Sequence, residues 1–444
     1  MATLLLLPRR WAALPLLVGA CYITRDSLFQ LGPFHFSVIR MLIATGLVRM
    51  IMRRERLADR INNLDWLVLV WSLWVLLSSM FHEDSSAALV YRLGLAYDAC
   101  GIYFLVRVFC QLFDDVVGLS RLTAILLLPV AVEMIYEKLT GNNLFYVLSG
   151  ISVDLTIREG HIRAQGPFAH AIIAGTVGAV CLPLMVLLWH QHRKAAVIGI
   201  GACAVMIFTC ASSGPILSMV AALGALFMWR HRQQIRLVRW LAVAAYIALD
   251  LFMNDPAYYI IARIDLVGGS TGWFRARLIQ SAFEHLSEWW LGGTDHTRHW
   301  MPSGVSWSAE HTDVTNQYLR MGVIGGLPLM VLFIGTLIKG FSFVGGALRW
   351  LSKGSLQHQF TCWALGASLF AHATTFVSVS YFDQSFVFLY LILAAIGSAW
   401  SGTVRVSERV VGSHNVLGSQ ALGNQSIPGC VTPVRGGAEG ITLR

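Results

Sequence analysis

Two polar stretches in an otherwise apolar chain, about 139–167 and about 255–319, hold the side chains able to do chemistry. The first closes on Arg163-Ala164-Gln165-Gly166-Pro167-Phe168-Ala169-His170. Pro167 suits the first turn of a helix, whose unpaired N–H groups and positive dipole end favour an anion beside Arg163, with His170 in support. The second stretch carries Arg275 and Arg277, then Asp295-His296-Thr297-Arg298-His299, then Glu310-His311-Thr312-Asp313. A guanidinium fork matches phosphate oxygens bidentately, so Arg275 and Arg277 point to a phosphate-bearing ligand. His311 offers the side chain best suited to take a proton from a hydroxyl near neutral pH, with Asp313 beside it as support. His296, His299, Asp295 and a further carboxylate are metal-ligand types, but no HExxH or DxD spacing occurs, so a metal-independent site without cofactor is expected.

Helical periodicity positions the second group. Phe274, Leu278, Ile279, Ala282, Phe283, Leu286, Trp289 and Trp290 recur on one face, and Arg277, Gln280, Glu284 and Ser287 share the other. This predicts an amphipathic helix lying in the membrane interface, its Trp pair at headgroup level. The rest of the chain demands a membrane. Only 13% of the 444 residues are charged and 56% are hydrophobic, against roughly 25% charged in a soluble domain. The formal charge of +9 therefore belongs at a lipid surface and not on nucleic acid.

Apolar runs of spanning length fall near 11–24, 31–52, 65–81, 87–109, 120–138, 168–189, 195–211, 214–229, 239–254, 320–340, 359–380 and 384–401. That is about twelve spans at roughly 20 residues each. The expected fold is an all-α integral membrane domain over 1–401, with the helical loop 255–319 between the ninth and tenth spans. Arginines crowd the connections at 53–60 and 230–239, and Arg193-Lys194 and Arg349 with Lys353 mark two more. The connections at 82–85, 212–214 and 381–384 are poor in basic residues. Basic residues stay cytoplasmic, so both termini are expected in the cytoplasm and both polar stretches outside, in the periplasm if the membrane is a bacterial inner membrane. The segment 402–444, rich in Gly, Ser and Asn, reads as a disordered cytoplasmic tail. Arg9-Arg10 and the apolar run after them read as the start of a first span and not as a signal sequence, since further spans follow at once. The eight cysteines show no CxxC or paired loop spacing and read as free buried thiols.

Arg40, Arg49, Arg92, Asp98, Glu133 and Asp250 fall within or near the spans, where each charge costs about 2.5–3.5 kcal/mol on insertion scales. Arg49 and Asp250 lie near helix ends and are expected to snorkel to the interface. Arg92 has two readings: an internal ion pair with Asp98 or Glu133, or the wall of an anion pocket.

The order of these residues resembles the O-antigen ligase and O-antigen polymerase superfamily. It runs Arg163-x-x-Gly166-x-Phe168, Thr209-x-x-Ser212-Ser213-Gly214, Arg275 and Arg277, Trp290-Leu291-Gly292-Gly293, and His311-Thr312-Asp313 with Gly322-Val323-Ile324-Gly325 beyond, preceded by Leu31-Gly32-Pro33-Phe34 leading to Arg40. The resemblance implies a membrane glycosyltransferase that takes a glycan from an undecaprenyl-diphosphate carrier and passes it to a periplasmic hydroxyl. Ligases use lipid A core as acceptor, and polymerases use another glycan. By position, Arg163 and Arg275 or Arg277 match the diphosphate-binding residues and His311 the base. The chain departs from the pattern at Ser212-Ser213-Gly214-Pro215, where relatives often carry Arg after Ser, and at Thr312, commonly Asn or Ser. Without a DxD to hold a divalent ion, arginines would neutralise the leaving diphosphate, and attack opposite it would invert the anomeric centre. A polysaccharide transporter or flippase is the competing class, resting on Arg40, Arg92, Asp98 and Glu133 around a midplane cavity.

Overall fold

The structure is a computed structural model that describes residues 1–24, 28–31, 34–150, 156–158, 160–263, 272–302 and 309–423, with backbone alone for 28–31, 34–36 and 405–423. A chain this apolar can satisfy its backbone in lipid only within helices or a closed barrel, and it is 78% helical. Among the described residues, the strands form two short antiparallel hairpins: β1 Leu28–Leu31 with β2 Phe34–Ser37, and β3 Ile157–Arg158 with β4 His161–Ile162.

The first helices are α1 Ala2–Leu6, α2 Leu14–Tyr22, α3 Val38–Arg53, α4 Asn63–Leu77, α5 Ser85–Phe109 and α6 Phe113–Thr140. Then come α7 Leu144–Ser149, α8 Ala171–Leu187, α9 Arg193–Thr209, α10 Ser213–Phe227 and α11 Ile235–Phe252. The long polar loop contributes α12 Ile260–Arg263, α13 Gly272–Glu284 and α14 Leu286–Trp289, and the chain finishes with α15 Gln317–Trp350, α16 Leu356–Thr375 and α17 Gln384–Gly423.

Among the described residues, six helices are long and apolar enough to cross a membrane: Asn63–Phe81, Ser85–Phe109, Phe113–Thr140, Ala171–His190, Gln317–Lys353 and Gln384–Val404. The other expected runs form shorter or more polar helices. α2, α3, α9 and α10 have 9, 16, 17 and 15 residues, below the roughly 20 needed for a straight crossing. α11 carries Arg236, Arg239 and Asp250, and α16 opens on Gln357, His358 and Gln359.

Within the unit Met1–Thr403, α8 and α17 form the centre: 89% and 83% of their apolar windows are buried, against 44–50% for the other four long helices. α8 packs on α6, α9, α10 and α16, and α15 packs on α4 and α16. The second unit is Val404–Arg444, whose described backbone is helical to Gly423; composition places the start of a tail at 402, and residues 424–444 lie outside the described residues.

Most intramembrane charges are paired. Arg40 forks onto Asp98 at 3.0–3.2 Å. Arg49 does not snorkel: it is wholly buried, holds Glu55 at 2.7 and 2.9 Å, and donates to the Leu4 and Leu7 carbonyls at 2.5 and 2.7 Å. Two carbonyl acceptors at the α1 end, absent from any hydropathy reading, are what draw it inward. A third pair passed unread in the sequence. Arg107 forks onto Asp65 at 3.0 and 3.2 Å, and the Tyr103 hydroxyl donates to the same carboxylate at 2.7 Å.

Candidate functional site

Polar connections meet at one end of the bundle. Gln384 Nε2 donates to the Pro167 and Ile23 carbonyls, Gln317 ties to the backbone of Phe376 and Tyr381, and Arg163 reaches Cys210. The turn after Arg163 is built on two glutamates of α6. Glu137 Oε2 accepts from the Gln165 and Gly166 N–H groups at 2.9 and 2.8 Å, and Glu133 Oε1 accepts from Leu144 N–H at 3.0 Å. Lys138 Nζ donates to the Ile162 carbonyl at 2.6 Å, and Asn143 Nδ2 donates to the Gly166 carbonyl at 2.8 Å. The expected pairing of Glu133 with Arg92 does not form; Glu133 organises this loop instead.

Arg163 is buried, its Nε donating to the Cys210 carbonyl at 3.3 Å, while Ala164 N–H donates to Thr209 at 3.2 Å. These contacts seat the 163–168 turn against the Thr209–Gly214 connection. The β3–β4 hairpin turns at Gly160, at φ +74°, a left-handed position that suits glycine. It returns the chain so that Arg163 N–H donates to the Thr156 carbonyl at 3.0 Å, placing Arg158 within electrostatic reach of Arg163. From the other loop, α13 presents Arg275 on the same face as its buried Leu278 and Ala282, at positions i, i+3 and i+7. Burial pulls the Arg275 guanidinium below its ordinary range, the like charges of Arg158 and Arg163 pull the same way, and Asp313 opposes them. Burial and Arg158 likewise depress Arg163. Among the described residues, Arg163 Nη2 and Arg275 Nε are buried donors without a hydrogen-bond partner.

Arg277, two positions on, faces away. It is half-exposed and lies 3.6 Å from Glu284 of its own helix. The expected amphipathic helix is broken at His285, between α13 and α14, and its apolar face packs on Trp300, Met301 and Leu319. Trp289 is therefore buried in protein and its Nε1 donates to the Ala282 carbonyl, whereas Trp290 stays exposed.

Backbone contacts join the segments around Gly293 and Gly326. Thr294 N–H donates to the Val323 carbonyl at 2.9 Å, and Leu327 N–H donates to the Trp290 carbonyl at 2.7 Å. A Cβ on Gly293 or Gly326, at φ +92° and +74°, would come 2.2 Å from the Val323 or Leu291 carbonyl oxygen, so side chains are excluded at both. α15 loses helical geometry at Gly325 and Gly326. The freed Gly325 carbonyl accepts from Trp74 Nε1 at 2.8 Å, and that of Ile324 accepts from Arg92 Nη2. Arg92 pairs with neither Asp98 nor Glu133. Its Nη2 also meets His82 Nε2, which lies 3.0 Å from the Gly292 carbonyl, and the Nδ1 of the same ring meets Asp295. Burial raises Asp295, but hydrogen bonds from His82 and the Glu83 N–H, with the charge of Arg92, outweigh it and hold the carboxylate below its usual range.

His311 is exposed, between two anchored residues: the Glu310 carbonyl accepts from the Thr297 and Arg298 N–H groups at 3.0 Å, and Thr312 N–H donates to Thr297 Oγ1 at 3.1 Å. Asp313, two residues on, faces Arg275 electrostatically. His170 caps α8, its Nδ1 accepting from Ile172 N–H at 3.1 Å; burial, then the charge of Arg163, push its pKa down to about 4. His296 bridges Glu83 and Glu310 at 3.0 Å, and the carboxylate hydrogen bonds raise its pKa. His299 groups instead with His285 and Glu288.

The structure thus brings Arg163, Arg275 and Asp313 together, adds Arg158, keeps His170 within electrostatic reach of Arg163, and gives Arg92 and Arg277 other neighbours. The signal for Arg158 was Gly160, which marks a tight return toward Arg163. The chain matches no protein-family model and no curated protein.

Proposed function

We propose that the chain is an integral-membrane glycosyltransferase of the O-antigen ligase type. It passes a glycan from an undecaprenyl-diphosphate carrier to an acceptor hydroxyl at the periplasmic face of a bacterial inner membrane, for cell-surface polysaccharide synthesis. The observation that carries the reading is the like-charged group Arg158, Arg163 and Arg275, drawn from two separate loops, in which Arg163 Nη2 and Arg275 Nε are buried donors without a hydrogen-bond partner among the described residues. Such an arrangement is stable where an anion completes it, and a diphosphate leaving group supplies that charge.

In this reading His311 takes the proton of the acceptor hydroxyl as its oxygen attacks the anomeric carbon. The bond from that carbon to the diphosphate oxygen breaks, and the carrier diphosphate departs against the arginines with inversion at the sugar. The acceptor is lipid A core or a glycan; a polymerase of the same superfamily differs only in that acceptor. Twelve spans with both termini cytoplasmic belong to this proposal, with α2, α3, α9, α10, α11 and α16 crossing beside the six long helices. A transporter cavity draws less support, because Arg40 pairs with Asp98, and Arg92 and Glu133 take backbone partners.

The test is complementation of a deletion strain, with surface polysaccharide resolved on gels. Arg163→Ala, Arg275→Ala and His311→Ala are expected to insert normally and abolish the glycan. Normal glycan from all three sinks the proposal. Loss of capped lipopolysaccharide with carrier-linked polymer retained indicates a ligase, and single-repeat products indicate a polymerase.

A further inference from the structure

We propose that His285, Glu288 and His299 form a binding site for a divalent transition-metal ion, zinc being the best match. The ligand-type atoms of the three residues all lie within 4.8 Å of one another. In a tetrahedral zinc site with bonds of about 2.0–2.1 Å, neighbouring ligand atoms stand about 3.3 Å apart. Closing the difference needs only side-chain rotation, because Glu288 and His299 are exposed and His285 is partly so.

The protonation pattern suits a ligand set. His285 Nδ1 faces the Ser281 carbonyl at 2.8 Å, so it carries the proton and leaves the Nε2 lone pair available. A carbonyl that accepts from the other ring nitrogen fixes the tautomer of a metal-binding imidazole. His299 Nε2 lies 2.9 Å from Glu288 Oε2, and Trp300 Nε1 donates to that same oxygen at 3.3 Å. The two imidazole rings stand edge to face, 4.8 Å apart and inclined at 76°, and come from different elements. Two imidazoles and a carboxylate favour zinc over magnesium or calcium and leave a fourth position open.

The ion would clip the turn Arg298–Trp300 to the end of α13 and to α14. Thr297, next to that turn, holds the backbone of Glu310 and Thr312 on either side of His311. Metal occupancy would thereby set the position of the segment bearing His311 and Asp313, as a structural clip outside the reacting groups. Binding itself stands independently of the transfer reading.

The experiment titrates Zn²⁺ into the purified full chain, carrying no polyhistidine tag, by calorimetry against a chelator of known affinity. One saturable equivalent is expected. His285→Ala and His299→Ala should each weaken it by at least about tenfold, on the scale of lost metal-site contacts, and His296→Ala should leave it unchanged. Absence of saturable uptake, or equal affinity in the His285→Ala/His299→Ala double variant, overturns the proposal. Co²⁺ bound to the unaltered chain gives a second reading that needs no variant. A four-coordinate ligand-field spectrum supports the site, and the spectrum of the hydrated ion overturns it.

Discussion

Replacing Arg275 by Met should make the protein more stable and less able to bind an anion. Arg275 is buried, its Nε has no partner among the described residues, and Arg158 and Arg163 repel it. A buried unsatisfied polar group costs about 1–3 kcal/mol, and replacing buried charge with an apolar side chain of similar volume is often neutral or stabilising. Loss of the attraction to Asp313 offsets part of the gain. Arg275→Met is therefore expected to stabilise the chain by about 1–2 kcal/mol at neutral pH, seen as a rise of a few degrees in the thermal unfolding midpoint in detergent. Inorganic diphosphate should reverse the order. At a hundredfold excess over its dissociation constant a ligand of the folded state adds about 2.7 kcal/mol, and this increment should appear in the unaltered chain and vanish in Arg275→Met. A variant less stable by more than about 1 kcal/mol, or one that diphosphate stabilises as much as the parent, refutes the reasoning.

Three further outcomes follow from the same geometry. His170, with its folded pKa pushed down to about 4 against about 6.5 for a free histidine, binds fewer protons folded than unfolded, so stability should fall as pH drops from about 6.5 to 4 and level off below. The full loss is about 3 kcal/mol, and thermal scans of His170→Asn, which keeps a capping oxygen, should lack that part of the pH dependence. Glu137→Ala removes the acceptor of two buried N–H groups and should cost about 3–6 kcal/mol, while Glu137→Gln, which restores an acceptor oxygen, should cost about 1–2 kcal/mol; equal midpoints for the two would contradict this account of the Arg163 turn. Asp65→Ala strands the buried Arg107 and should cost about 3–5 kcal/mol. The double variant Asp65→Ala/Arg107→Met should recover most of that loss in a double-mutant cycle, and strict additivity would argue against the pair.

Hydropathy made the six long helices legible, because a long apolar run has no stable alternative to a buried helix. It did not show how the shorter α9 and α10 pack on α6, α8 and α16, which one sequence does not display. Periodicity already put Arg275 and Arg277 on opposite faces of α13, two residues being about 200° of helix, but guanidinium chemistry alone kept both as phosphate ligands. Arg49 was misplaced for a related reason. Nearness to a helix end describes its reach, whereas its direction depends on the carbonyls of Leu4 and Leu7 and on Glu55.

Charge pairing separates the architecture from the proposed site. In a low-dielectric interior a guanidinium persists beside a carboxylate, and Arg40 with Asp98, Arg49 with Glu55 and Arg107 with Asp65 obey that demand. Among the described residues, Arg158, Arg163 and Arg275 break it, since three cations share one region against Asp313. The two nearby glutamates of α6 do not relieve the imbalance, because Glu137 and Glu133 are turned to the backbone of the 144–166 segment. Glu137 is thus committed to shaping the turn that follows Arg163. That division of labour is what an anion site requires: if the glutamates neutralised the arginines, the pocket would be stable when empty and have little affinity for a diphosphate.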